Sequence, residues 1–234
     1  MKKSFKIALL VSTFLCPVVG FAADGYNVNG TTQTVNTDMV YDSNTGNGIS
    51  VTNDGTNGGD LTVSGATQVT TNSNTESGIL VTGTGSTMTI DGVAVTANEN
   101  DLRGISAMYG GSLTITNADV TTNENKNVGD TGKVYGGIAA FGGASVEING
   151  AATGTSNVVT AHNNLSNGIS TVSNALNDGT SITIRNADVV TTDNEYSGIV
   201  AISGDILLDG RADGSNTITT TGNSNFFGLG AMYD

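Results

Sequence analysis

The chain holds one histidine (His162), one cysteine (Cys16), eight basic and 21 acidic residues among 234, so any chemistry must be assembled mainly from carboxylates. An imidazole serves as general acid or base only when a partner orients it. His162 stands at a recurring position held by Asn72, Asn98, Asn123, Asp193 and Thr221 elsewhere, which points to a stacked turn residue. Paired carboxylates could act at a glycosidic bond or hold calcium. Asp54 with Asp60, and Asp209 with Asp213, are the candidate pairs, but neither sits in an EF-hand loop or a Gly-Gly-x-Gly-x-Asp nonapeptide. Both read as solvated loop residues. One His and no Cys beyond residue 16 exclude zinc and copper sites of the usual kind. No catalytic, cofactor-binding or metal-binding residue is assigned, and no cofactor is expected.

The composition says what must position any site. There are 33 Gly, 35 Thr and 27 Asn against one Pro and no Trp, a bias toward turns and β-structure. Gly without a three-residue period excludes collagen. A hydrophobic content of 37% supplies apolar surface to bury and argues against long disorder.

Residues 1–22 have the three parts of a secretory signal: Lys2, Lys3 and Lys6, an apolar run over 7–15, and small residues Gly20 and Ala22 at positions −3 and −1. Cleavage is expected between Ala22 and Ala23. Thr13-Phe14-Leu15 lacks the small residue that precedes a lipidated cysteine, so Cys16 is expected to leave with the signal. The mature chain, 23–234, is then free of cysteine and of disulfides in an oxidising compartment. Arg103, Lys126, Lys133, Arg185 and Arg211 face all 21 acidic residues, a formal charge of −16. Such scattered cations do not suit a phosphate backbone, so nucleic acid is not an expected partner. No other apolar stretch approaches the ~20 residues of a membrane helix, and no transmembrane segment is expected after signal removal.

Repeats dominate what remains. Gly followed by an aliphatic residue opens each at Gly48-Ile49, Gly78-Ile79, Gly104-Ile105, Gly137-Ile138, Gly168-Ile169, Gly198-Ile199 and Gly228-Leu229, spaced 30, 26, 33, 31, 30 and 30 residues apart. An apolar-x-apolar triplet follows: Leu61-Thr62-Val63, Met88-Thr89-Ile90, Leu113-Thr114-Ile115, Val146-Glu147-Ile148, Ile182-Thr183-Ile184 and Ile206-Leu207-Leu208. Then come Val69-Thr70, Val95-Thr96, Val120-Thr121, Val159-Thr160, Val190-Thr191 and Ile218-Thr219. Three short strands per ~30 residues predict an all-β, single-stranded parallel β-helix of about six to seven coils over 23–234. Insertions fall between strands, the longest at 126–136, 150–158 and 171–181, where a solenoid carries specificity.

The coil that runs from Gly104-Ile105 through Leu113-Thr114-Ile115 to Val120-Thr121-Thr122-Asn123 resembles the passenger domains of Gram-negative autotransporters of the pertactin-like and adhesin-like kind. That resemblance implies a right-handed β-helix displayed at the outer membrane, adhering to host or abiotic surfaces or glycans, or self-associating. Its motifs are structural and carry over no functional residue. The family ends in a translocator β-barrel, which this sequence lacks; the chain stops at Gly228-Leu229-Gly230-Ala231-Met232-Tyr233-Asp234, a match to the start of a coil at Gly104. A truncated passenger, or a periplasmic or secreted remnant, is expected. Two competing functions have partial support. Asn36-Thr37-Asp38 resembles one fragment of the polygalacturonase pattern, without its Asp-Asp and Gly-His-Gly parts, which keeps a carbohydrate-active enzyme as an alternative. Thr70, Thr96, Thr121, Thr160, Thr191 and Thr219 would form an outward ladder, and Thr62, Thr89, Thr114 and Thr183 another, as in ice-binding β-helices. The expectation is a non-enzymatic surface module.

Overall fold

A computed structural model describes residues 24–127, 136–173, 178–224 and 228–232. The signal segment with Ala22 and Ala23, and parts of the insertions at 126–136 and 171–181, lie outside the described residues.

Every strand pairs in parallel with its equivalent one coil away, forming three sheets of eight, seven and seven strands. The first runs from Tyr26–Asn29 through Ile105–Met108 to Leu229–Met232, the second from Thr32–Val35 to Asp205–Asp209, and the third from Met39–Asp42 to Ile218–Thr221. This is a parallel β-helix of about seven coils, and at ~4.8 Å per coil the rod is about 30–35 Å long. A coil earlier than the first expected one opens at Gly25-Tyr26, whose Tyr26 pairs with Ile49. An aromatic residue there replaces the aliphatic one that marks the other starts.

Period-two alternation puts one set of side chains inside. Ile49, Ile79, Ile105, Ile138, Ile169 and Ile199 stack in register along the first sheet, all fully buried. The second sheet contributes Leu61 with Val63, Met88 with Ile90, Leu113 with Ile115, Val146 with Ile148 and Ile182 with Ile184. Val69, Val95, Val120, Val159 and Val189 complete the third side of the core. Burying each of these side chains is worth roughly 1.5–3 kcal/mol, and each column needs the coil above and below to close over it.

The third sheet corrects one expected register. Thr160 pairs with Val190 and Ala161 with Thr191, so Val189 and Thr191 point inward and Val190 points out. Thr191 is fully buried and does not belong to the outward ladder. The column of Asn72, Asn98, Asn123 and His162 accordingly continues through Thr192 and Thr221, not Asp193. The run Val189-Val190-Thr191-Thr192 fits either register by hydrophobicity alone, and the corner that follows decides between them.

Candidate functional site

That corner is built the same way in every coil. The residue after the third strand has a left-handed backbone: Ser43, Ser73, Glu99, Glu124, Asn163, Asp193 and Gly222 have φ between 50° and 68°. The residue after it is always asparagine: Asn44, Asn74, Asn100, Asn125, Asn164, Asn194 and Asn223. The side-chain amides of the first six donate to the next carbonyl oxygen along the rod, from Asn44 to Asn74 at 2.7 Å and so on to Asn194 and Asn223 at 3.0 Å. Between them, Asn100 Nδ2 reaches Asn125 Oδ1 at 3.0 Å, and Asn125 Nδ2 reaches Asn164 Oδ1 at 2.9 Å. In Asn74, Asn100, Asn125 and Asn194 the second Nδ2 proton goes to the main chain one coil back, as from Asn125 to Ala97 O at 3.0 Å. The five central members are buried, so this ladder satisfies polar groups that water cannot reach. It lies two residues beyond the polar column expected from the sequence.

Against the ladder runs a column of glycines. A Cβ on Gly104 would stand 2.7 Å from Gly137 O, 2.8 Å from Thr122 Cγ2 and 2.9 Å from Asn125 Nδ2, and Gly48, Gly78, Gly168 and Gly198 are as tightly confined. Close approach, not unusual backbone angle, requires glycine here.

The residues considered for chemistry are engaged in this framework. His162 sits in the outer column, its Nδ1 2.6 Å from Thr192 Oγ1 and 3.8 Å from Asp193 Oδ2. A single nitrogen facing both partners is not a hydroxyl–imidazole–carboxylate relay, which needs one nitrogen for each. Asp38, the acid of Asn36-Thr37-Asp38, accepts the Thr67 amide and hydroxyl at 2.7 and 2.9 Å, and these bonds hold its carboxyl below the usual range. Asp119 and Asp188 repeat that role, accepting Val158 N at 3.0 Å and Thr217 N at 2.7 Å from the following coil. Asp54 and Asp60 serve different partners. Asp54 accepts the amides of Asn57 and Thr56, both at 2.7 Å, which lowers its pKa, while Asp60 takes the Thr87 hydroxyl. Asp209 lies 3.6 Å from Arg185, and Asp213, lowered by the Ser215 hydroxyl and amide, caps its own turn. Among the described residues no three His, Cys, Asp or Glu side chains form a metal-binding group.

Two carboxylates do flank a cation on the second sheet. Glu147 Oε1 is 2.8 Å from Arg185 Nη1, with Asp209 on the far side. All three are about one-third or more exposed, and pairs of this kind contribute at most about 1 kcal/mol. A hollow of about 520 Å³ lies in the coil that contains Ile199, where Ile199, Ala201, Ile206, Leu208, Ile218 and Leu229 line it. Its lining is apolar and carries no carboxylate.

Arg211 is the cation whose role the sequence did not show. It is only 7% exposed and donates to main-chain carbonyls alone: Ala151 O at 2.7 and 3.0 Å, Gly154 O at 2.7 Å and Thr155 O at 3.0 Å. The guanidinium thus ties the insertion at 150–158 to the loop at 210–216, two coils along. Five fixed donors make Arg suited to this, and Lys a poor substitute. Arg211→Lys is expected to open the 150–158 loop to limited proteolysis at least about tenfold faster, since local opening governs cleavage. An unchanged cleavage rate would show that the loop is held by other contacts.

The outward threonines form partial ladders. Thr62, Thr89 and Thr114 are in register on the second sheet, but Glu147 and Leu207 interrupt that column around Thr183. On the third sheet Thr70, Thr96, Thr121 and Thr160 are in register, Val190 follows, and Thr219 ends the described column.

No protein-family model matches the chain, and neither the curated proteins nor the solved structures hold a significant match. The fold and the corners define its class: a three-sheet parallel β-solenoid with a stacked asparagine ladder. No helix among the described residues is long and apolar enough to cross a membrane.

Proposed function

We propose that this protein is exported and acts without catalysis as an adhesin-like surface rod that engages host or abiotic surfaces, glycans or further copies of itself. The observation that carries the reading is the repetition of polar groups on two faces. Thr62, Thr89 and Thr114 on the second sheet, and Thr70, Thr96, Thr121 and Thr160 on the third, point outward in register at intervals of ~4.8 Å. A rigid array of this kind suits many weak contacts made at once, where linkage multiplies affinities that are small singly. The sequence of residues 1–22 supports export. The resemblance of the coils to autotransporter passengers supports adhesion or self-association.

Purified protein should be retained on coated glass or on glycan arrays of high density and released by soluble polymeric competitors, while single sugars compete poorly. Cleavage of any member of a polysaccharide panel would overturn the reading in favour of the carbohydrate-active enzyme.

A further inference from the structure

The sequence contains five Asn-Gly pairs, at Asn29-Gly30, Asn47-Gly48, Asn57-Gly58, Asn149-Gly150 and Asn167-Gly168. This dipeptide is chemically labile, because the glycine amide nitrogen can attack the asparagine side-chain carbonyl without a Cβ in the way. The attack needs that nitrogen to be free of its hydrogen bond and the asparagine side chain to rotate toward it.

Four of the pairs are held against this. Gly30 N donates to Thr52 O at 3.1 Å, Gly48 N to Ser77 O at 3.0 Å, Gly150 N to Arg185 O at 2.8 Å and Gly168 N to Ser197 O at 2.9 Å. Each bond belongs to the stacking of one coil on the next. The four side chains are committed as well. Asn29 accepts the Thr52 hydroxyl, Asn47 bonds Asp24 and Glu76, Asn149 donates to Glu147, and Asn167 accepts Ser197 N.

Asn57-Gly58 differs in its glycine amide, which no coil-to-coil bond holds. It closes the 53–58 loop, exposed over 54–57, where Asp54 accepts the Asn57 amide and Asn57 O accepts the Asp54 amide. The Asn57 side chain turns to the exposed Asp54 carboxylate rather than to a neighbouring coil, and among the described residues the Gly58 amide has no hydrogen-bond partner.

We propose that Asn57 is a site of spontaneous modification, the one Asn-Gly pair that the folded solenoid leaves open to succinimide formation. The Gly58 nitrogen bonds to Asn57 Cγ, the Cγ–Nδ2 bond breaks, and the displaced nitrogen leaves as ammonia with the proton lost by Gly58. Solvent water then opens the ring at either carbonyl, giving aspartate or isoaspartate at position 57. Either product adds a negative charge to the loop, and isoaspartate also lengthens its main chain by one methylene.

The test is incubation of the folded full-length protein at mildly alkaline pH, followed by proteolysis and mass spectrometry of all five Asn-Gly peptides. A parallel sample is unfolded in urea. In urea all five should convert at similar rates. In the folded protein Asn57 should convert more than about tenfold faster than the other four, which must wait for a coil to open. An Asn57→Ser variant should fold normally and lose the folded-state signal. Asn57 remaining intact while its urea control converts, or any of the other four converting as fast in the folded protein, would overturn the proposal.

Discussion

Replacing Asn125 by alanine is expected to destabilise the rod by about 3–5 kcal/mol, since each buried polar group left unpaired costs roughly 1–3 kcal/mol. The substitution removes one side chain but strands several partners. Asn100 loses the acceptor for its amide and one acceptor for its Nδ2, Ala97 O loses the Asn125 donor, and Asn164 Oδ1 keeps only the 3.3 Å bond from the main-chain amide at 125. Asn125 is only 2% exposed, so water does not readily take its place. A loss of this size is a large share of the 5–15 kcal/mol that holds a typical domain. Asn72 provides the contrast, because it stands in the outer column and its Oδ1 accepts only a long 3.3 Å bond from Asn98 N. Asn72→Ala should cost less than about 1 kcal/mol. Urea unfolding midpoints of the two variants, measured side by side, check the difference. Equal midpoints would mean that the ladder is not a dry, satisfied network.

Gly104→Ala should also destabilise, by about 2–4 kcal/mol through overpacking. Its sign is the informative part. Where the backbone can accept it, Gly→Ala stabilises by about 0.4–1 kcal/mol through the unfolded chain. The new methyl at position 104 would instead press on Gly137 O and Asn125 Nδ2, neither of which can withdraw without breaking the stack. Because Gly104 and Asn125 touch, the double variant should lose less than the sum of the singles. Thermal unfolding of the four proteins in that cycle measures the coupling. A neutral or stabilised Gly104→Ala protein would remove close approach as the reason for the glycine column.

The repeats were legible in the sequence wherever one residue type has one physical reason to recur. Glycine before an aliphatic residue marks a coil start because nothing larger fits, and apolar-x-apolar triplets mark the second sheet because period two divides core from solvent. The ladder was harder to see, because asparagine also reads as an ordinary turn residue. Its signal was constancy. In Asn72-Ser73-Asn74 and Asn123-Glu124-Asn125 both asparagines look alike, but the first becomes His162 and Thr192 in later coils while the second is retained as Asn164 and Asn194.

The slip at Val190 arose because β-branched and Thr residues alternate there without contrast, and Asn194 fixes the register only once the ladder is known. Arg211 gave no local sign of its role, since its carbonyl partners lie 56–60 residues earlier in the chain. For the candidate site, the sequence identified carboxylates but not their work. Asp38, Asp119 and Asp188 accept main-chain amides across coils, a function that only the stacked backbone defines.

Disulfide trapping tests the in-register stacking most directly. In a Cys16→Ser background the chain carries no other cysteine, so an introduced pair reports on itself alone. Thr160 and Val190 are register partners on the outer face of the third sheet, at the spacing of adjacent strands and within the Cα separation that a disulfide spans. Thr191 points into the core. Oxidation should crosslink the T160C/V190C protein and leave T160C/T191C reduced. A crosslink in the second protein and none in the first would contradict the stacked coils described for this solenoid.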